Sequence, residues 1–305
     1  MDEKTILDPI PARLNVALSL GAWTAAAGLL WIASHTSSPW IFAAAAIAFS
    51  FLGNTIFSLL HESVHGVFHP SRAVNDLFGT VSAAFFPTGF TFQKVSHLGH
   101  HRRNRTDLEM FDYYYPEDSR IVKWMQWYGI LTGVYYVCIP LSWILVFAIP
   151  RLPKLGVMAK NSVAIERTSA SAYLRAFDDA DMFRLRVELL GTIAFQAALF
   201  WLLDLSLAGW LTLYAAFGLN WSSLQYADHA FSVRDVREGA WNLRVSPLVR
   251  AVFLNYHHHL AHHQNPQVPW IHLPRYVDPA RPQPRFVAIW ARMWLGPRPA
   301  PPMGR

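Results

Sequence analysis

The chain has 305 residues and a formal charge of +6; 53% of its residues are hydrophobic and only 15% are charged, against about 25% in soluble globular domains. Because the apolar residues fall in long blocks flanked by basic residues, this composition indicates a multi-span membrane protein and argues against a nucleic-acid partner. The single cysteine, Cys138, excludes an internal disulfide and a cysteine-ligated iron–sulfur cluster.

The first two apolar blocks predict a transmembrane hairpin. Residues 14–34 and 40–60 contain no charged side chain, are long enough to span a bilayer and are separated by a short polar turn. The next block, 77–92, is too short for a span and carries Pro87 and Gly89 near its end. It predicts a re-entrant or interfacial segment.

Residues 127–150 form a third apolar region, which Pro140 interrupts. The following segment, 151–186, contains seven lysines and arginines, and the positive-inside rule places it in the cytoplasm. We therefore expect 127–150 to be a kinked, membrane-embedded element that enters and returns on one side. Residues 189–227, divided at Asp204, predict a second transmembrane hairpin.

The predicted fold is a single all-α integral membrane domain over residues 1–305. It has about four transmembrane helices in two hairpins, re-entrant or interfacial helices, and a His-rich helical cap on the cytoplasmic face. In a bacterium this is the face of the inner membrane. The cap comprises 61–110 and 228–282; the amphipathic segment 286–295 is expected at the interface, and 296–305 is expected to be a loose tail.

Eleven of the 14 histidines fall in three clusters near the ends of apolar blocks. Histidines at i and i+4, or at i, i+3 and i+4, share one helix face. Three such faces and one isolated histidine supply nine imidazoles: His61, His65, His97, His100, His101, His229, His259, His262 and His263. Nine are more than one metal binds, so the pattern predicts two neighbouring metal ions. His35, His69 and His272 are interpreted as incidental.

The first cluster also matches H-E-x-x-H, the pattern of zinc metalloproteases in which the glutamate acts as a base. A zinc protease uses three protein ligands and one open position, which leaves the other histidines unexplained. We interpret Glu62, Asp107 and Asp228 instead as candidates to orient ligand rings through hydrogen bonds. A membrane zinc protease and a metal transporter remain alternatives, although transport favours ligands along a path within the spans.

The motifs "HESVH", "HLGHH" and "HLAHH", with the flanks "HGVFHPSRAVNDLFG", "HRRNRTDLE" and "HQNPQVPWIHLP", resemble the integral-membrane fatty acid desaturase family. The resemblance covers roughly residues 40–110 and 185–275. It implies that the nine histidines bind two iron ions and that O2 is a co-substrate. It also implies a water-mediated metal contact for Gln225, a position where the family more often has Asn.

The resemblance further implies a reaction and its partners. The reaction is desaturation of an acyl lipid or acyl thioester, with electrons from a separate donor of the ferredoxin or cytochrome b5 type and its reductase. Relatives with the same motifs hydroxylate or ketolate lipids, carotenoids or alkanes, so these reactions remain open. The chain itself contains no Gly-rich nucleotide fingerprint and no cytochrome b5 haem motif.

Overall fold

The computed structural model describes residues 8–148 and 180–300, and the chain is mostly helical over both ranges. The helices of these ranges are α1 (Ala12–His35), α2 (Pro39–His65), α3 (Arg72–Phe85), α4 (Phe90–Arg103), α5 (Arg120–Leu131), α6 (Val134–Ala148), α7 (Met182–Leu203), α8 (Leu207–Ala227), α9 (Pro247–Val252), α10 (His259–Gln264) and α11 (Phe286–Met293). Two short strands, β1 (Tyr113–Tyr114) and β2 (Arg298–Pro299), pair in parallel.

The predicted first hairpin is present as α1 and α2. Ser38 caps α2 by accepting a hydrogen bond from the Ile41 N–H, with Pro39 in the first turn, and Gly66 ends the helix in the left-handed conformation (φ 74°). With 27 residues, α2 is about 40 Å long, which exceeds the roughly 30 Å hydrocarbon core of a bilayer. Its last turns, which carry the first histidine cluster, can therefore extend past the hydrocarbon.

The predicted second hairpin corresponds to α7 and α8. Asp204 ends α7 in the left-handed conformation (φ 47°), and Ser206 caps α8. By length and composition, three helices of the described ranges can cross a membrane, namely α1, α2 and α7. The predicted count of about four stays a prediction; α8 falls short of this criterion because its second half carries polar side chains such as Ser222 and Gln225.

Tryptophans at the helix ends far from the histidines support this membrane assignment. Trp31 lies near the end of α1, Trp40 at the start of α2 and Trp201 near the end of α7, and all three side chains are exposed. Exposed tryptophan is typical of the membrane–water interface. The histidine clusters lie at the opposite ends of α2 and α8.

The two shorter apolar regions are both divided by turns. Segment 77–92 contains the end of α3 and the start of α4, with a turn between them. In 127–150 the chain turns at Gly133 (φ 81°), where a Cβ atom would lie 2.9 Å from the backbone nitrogen of Leu219. Pro140 lies inside α6. Residues 149–179, which include most of the basic segment used to predict the cytoplasmic side, lie outside the described residues.

The predicted loose tail is wrong for its first half. The Arg298 N–H donates to the Asp112 carbonyl and the Ala300 N–H donates to the Tyr114 carbonyl, each at 2.8 Å. These bonds form the β1–β2 pair and hold residues 296–300 against the cap. Residues 301–305 lie outside the described part of the chain.

A buried ion pair ties the segment after the second histidine cluster to the end of α8. The side chains of Arg105 and Asp112 are fully buried and lie 2.5 Å apart. Asp112 also accepts hydrogen bonds from the Tyr226 hydroxyl (2.9 Å) and the Phe231 N–H (2.6 Å). A buried charge pair with satisfied partners specifies one arrangement of the segments that contribute to it.

Close packing of α2 against α8 sets the spacing of the core. At Gly53, a Cβ atom would overlap the ring of Phe217, so only glycine allows this approach. One turn further along α2, the Phe57 ring lies edge-on to Trp221, with ring centroids 5.2 Å apart. These two contacts place the first histidine cluster, at the end of α2, level with the end of α8.

We predict that Gly53→Ala destabilises the protein by about 1–3 kcal/mol, because the added methyl group forces α2 and α8 apart. Thermal unfolding in detergent, followed by circular dichroism, measures the effect. Gly28→Ala on α1 is the matched control, since nothing lies within 4 Å of the added Cβ atom. Equal melting temperatures for the two variants would contradict the packing argument.

Candidate metal centre

Four separate parts of the chain bring the nine predicted histidines together. His61 and His65 lie in the last turns of α2, and the "HLGHH" histidines lie on α4. His229 lies two residues after α8, and the "HLAHH" histidines lie on α10. Each part ends or turns at the same end of the α2–α8 pair. The imidazoles therefore meet in a region that is largely buried.

The nine imidazoles form two groups, and in each group the ligand atoms lie within 4.8 Å of one another. Group one has five members: His61, His65, His97, His101 and His262. Group two has four members: His100, His229, His259 and His263. The "HLGHH" and "HLAHH" motifs each contribute to both groups, and the first motif contributes only to group one, so neither group is complete without the tertiary fold.

The separations between ring nitrogens match those around a metal ion. In group one, Nε2 atoms of successive rings are 2.9 Å (His65 to His97), 3.0 Å (His97 to His101) and 3.0 Å (His101 to His262) apart. In group two, the Nε2 atom of His259 lies 3.0 Å from that of His229 and 3.3 Å from that of His263. Imidazole nitrogens about 2.1 Å from one metal and about 90° apart would lie about 3.0 Å from each other.

Hydrogen bonding between the rings explains these contacts less well. A neutral imidazole nitrogen has either one hydrogen or one lone pair, yet the Nε2 atoms of His97 and His101 each have two such neighbours. The Nε2 atom of His61 has no hydrogen-bond partner although it is buried. Lone pairs that converge on a cation account for both observations, so the residues fit two metal ions.

Hydrogen bonds on the outer side of two rings set their tautomers. The Nδ1–H of His229 donates to the Gly239 carbonyl at 2.8 Å, and the Nδ1–H of His100 donates to Glu109 Oε2 at 2.8 Å. Each bond leaves the Nε2 lone pair free to face the group-two centre. The Nε–H of Arg103 donates a hydrogen bond to the other Glu109 oxygen at 3.0 Å, and the Arg103 Nη2 atom forms an ion pair with the same oxygen at 2.9 Å, which fixes the carboxylate in turn.

Burial favours the neutral form of several of these imidazoles. Burial, together with repulsion from the His100 ring and other imidazoles, lowers the pKa of His101 from 6.5 to about 2. Burial likewise lowers the pKa of His229 and of His262 well below the usual value. Metals bind the deprotonated ring, so the lone pairs are available at neutral pH without the loss of a proton.

The three carboxylates that were predicted to orient ligand rings lie in three different environments. Glu62 lies beside His61, with Oε1 3.9 Å from Nδ1, while its Oε2 accepts a hydrogen bond from the Trp270 N–H at 3.0 Å. It therefore anchors the segment after α10. Asp228 is fully buried, its carboxylate oxygens bond to no ring among the described residues, and burial raises its pKa.

The prediction for Asp107 is wrong. Its carboxylate is about half exposed and binds Arg234 and the Tyr115 hydroxyl at the surface. Glu109, two residues further along, takes the position beside His100. The 3₁₀ turn Asp107–Glu109 rotates one carboxylate outward and the other inward. Asp107 and Glu109 are both acidic residues in the segment that follows the "HLGHH" motif, so the sequence alone offered no signal to distinguish them.

A cavity of about 360 Å³ adjoins both groups, within the size range of small-molecule sites. His97 from group one and His100, His229 and His259 from group two contribute to its wall. The rest of the wall is mainly apolar and aromatic: Phe57, Phe111, Ile130, Tyr135, Ile139, Trp221 and Tyr256. An apolar chain bound here would pass directly beside the imidazoles.

Gln225 also lines this cavity, one helical turn before His229. Its Oε1 accepts a hydrogen bond from the Tyr256 hydroxyl at 2.9 Å. The predicted water-mediated metal contact stays a prediction; the side chain lines the same cavity as His229 and His259. The remaining histidines lie outside both groups; His35 and His272 bond to backbone carbonyls, and His69 accepts a bond from the Ser71 N–H.

Comparison with known proteins agrees with the site. The family model for fatty acid desaturases matches residues 36–292, which include all nine histidines. The chain therefore belongs to the fatty acid desaturase family, and its two histidine groups fit a di-iron oxidase in a membrane. No curated protein matches the chain.

We predict that Glu109→Gln lowers metal affinity about 10–100-fold, because it removes the charge that orients the His100 ring. Competition with a chelator of known affinity measures the change. Asp107→Asn is the matched control: it neutralises an acid in the same turn that faces Arg234 and no ligand ring. A Glu109→Gln variant with the affinity of the control would contradict the orienting role.

Proposed function

We propose that this protein is an O2-dependent, membrane-bound di-iron oxidase that introduces a carbon–carbon double bond into the alkyl chain of a lipid or acyl thioester. The observation that carries the proposal is the position of the apolar cavity against both histidine groups. The overall reaction is –CH2–CH2– + O2 + 2 electrons + 2 H+ → –CH=CH– + 2 H2O. Iron supplies the redox chemistry that couples O2 reduction to C–H cleavage.

The protein's own groups position the reactants. Neutral imidazoles would hold the metals without adding charge, and the hydrogen bonds to Gly239 and Glu109 keep two rings in the required tautomer. Phe57 and Trp221 close one side of the cavity with edge-to-face packing. Rigid aromatic walls hold a flexible alkyl chain in one path and keep water from the reacting carbons.

Electrons come from a separate protein in this proposal. Formation of one double bond consumes two electrons, and a donor of the ferredoxin or cytochrome b5 type with its reductase would deliver them. The chain carries an excess of six positive charges, which favours association with an acidic donor. The bilayer supplies the lipid substrate, and the histidine face lies toward the cytoplasm.

The assignment of the histidine ligands predicts the metal content. Protein purified anaerobically without added metal should contain about two iron ions per chain by elemental mass spectrometry, one for each group. His262→Ala and His100→Ala each remove a donor from one group, so each should lose most of that iron and the O2 consumption. His35→Ala is the control, because this ring lies outside both groups, bonded to the Trp31 carbonyl and 3.7 Å from Asp204.

A His262→Ala variant that keeps both iron ions and normal O2 consumption would exclude this ligand set. One zinc ion per chain and no iron, from cells grown with sufficient iron, would support a zinc protease instead. That result would exclude the proposed O2-dependent reaction for every substrate.

The products identify the reaction. Expression in a host with a defined lipid composition, followed by lipid mass spectrometry, should give products lighter than the substrate by two hydrogens. No oxygen from isotopically labelled O2 should remain in them, since both oxygen atoms leave as water. Oxygenated products alone would replace desaturation by hydroxylation or ketolation of a lipid, carotenoid or alkane on the same metal centre. The His262→Ala variant in the same host is the control for background activity.

A further inference from the structure

Helix α5 is apolar on both of its faces. Its inner face, which includes Trp127 and Ile130, is buried in the core. Its outer face exposes Ile121 (75%), Met125 (70%) and, less fully, Trp124. A helix that faces water normally has polar side chains on its outer face, so this one is built to contact something apolar.

The end of α11 extends the same exposed surface. The Trp127 Nε1–H donates to the Met293 carbonyl at 2.7 Å, and the Tyr128 hydroxyl donates to the Trp294 carbonyl at 3.0 Å. These bonds fix Trp294 and the 73%-exposed Leu295 beside α5. We call the resulting surface the α5–α11 patch; its members are Ile121, Trp124, Met125, Trp294 and Leu295.

Three arginines lie around this patch. The guanidinium of Arg120 lies 5.5 Å from the ring centre of Tyr114. Those of Arg292 and Arg298 lie over the ring of Phe231, at 4.4 and 4.8 Å. None of the three forms an ion pair with a carboxylate within residues 8–148 and 180–300. The aromatic rings hold the cations in place while their donors stay free for an anion.

The patch also continues into the outer surface of α6. Helix α6 starts three residues after α5 ends, and its first three turns expose Val134, Val137 and Leu141. The exposed apolar side chains of α6 therefore continue into the patch. The three arginines lie at the end of this surface that is farthest from α6. Apolar side chains bordered by arginine match the boundary between acyl chains and anionic headgroups.

We propose that the α5–α11 patch docks on the bilayer interface and binds anionic phospholipid through Arg120, Arg292 and Arg298. An acidic soluble protein would pair with the arginines but leave the apolar side chains in water. The same two helices adjoin the cavity, since Ile130 of α5 and Cys138 of α6 line its wall.

A fluorescent reporter on the patch tests the proposal. In a Cys138→Ser background, Met125→Cys is labelled with an environment-sensitive fluorophore, and the protein is placed in nanodiscs that contain nitroxide-labelled phosphatidylglycerol or phosphatidylcholine. We expect quenching by both lipids and stronger quenching by phosphatidylglycerol. Arg120→Gln should lower the preference for the anionic lipid about fivefold, the value for one cation near an anionic surface.

Two controls separate the patch from general effects. Arg275→Gln removes an exposed arginine elsewhere on the cap and should leave the preference unchanged. Asp278→Cys, on an exposed loop, should give a reporter that neither lipid quenches. The measurement uses neither turnover nor iron, so its outcome is independent of the proposed reaction.

Three results would overturn the proposal. A Met125→Cys reporter that no lipid quenches would show that the patch lies in water. Equal quenching by the two lipids would remove the role of the arginines. Protection of the reporter that appears only when each nanodisc holds two copies would identify a second chain as the occupant.

Discussion

The structure depends on the convergence of nine imidazoles, six of them buried, around two points. Buried polar groups are costly unless they have partners, and the buried Nε2 atom of His61 has none among the described residues. Two cations would offset the cost of bringing these nitrogens together, because each would provide one partner for four or five lone pairs. The surrounding packing has to hold the rings at those separations whether or not a metal is bound, and this requirement explains the rigid features around the site.

Two of those features act at a distance from the ligands. The Gly53–Phe217 contact sets the distance between α2 and α8, and with it the position of His61 and His65 relative to His229. The Arg105–Asp112 pair joins the segment after α4 to the turn that carries His229. One contact is apolar and the other ionic, yet both fix the relative positions of segments far apart in sequence.

Helix α5 lies between the cavity and the α5–α11 patch. Helix α5 contributes Ile130 to the cavity and Met125 to the outer surface, so a single helix separates the cavity from the α5–α11 patch. If the proposed oxidation and membrane docking both hold, a water-insoluble alkyl chain would reach the cavity without crossing the aqueous phase.

The sequence by itself determined the family, the first hairpin, the division of the second hairpin at Asp204, and the nine histidines, because helical spacing and long uncharged blocks are local properties of the chain. Only the tertiary structure decided how the nine divide into groups of five and four, since each group draws on rings from distant segments. The same holds for Glu109 in place of Asp107, and for residues 296–300, whose strand partner lies at 113–114. The direction of a side chain within a short turn and the pairing of strands distant in sequence both depend on tertiary packing. No local sequence pattern predicts either of them.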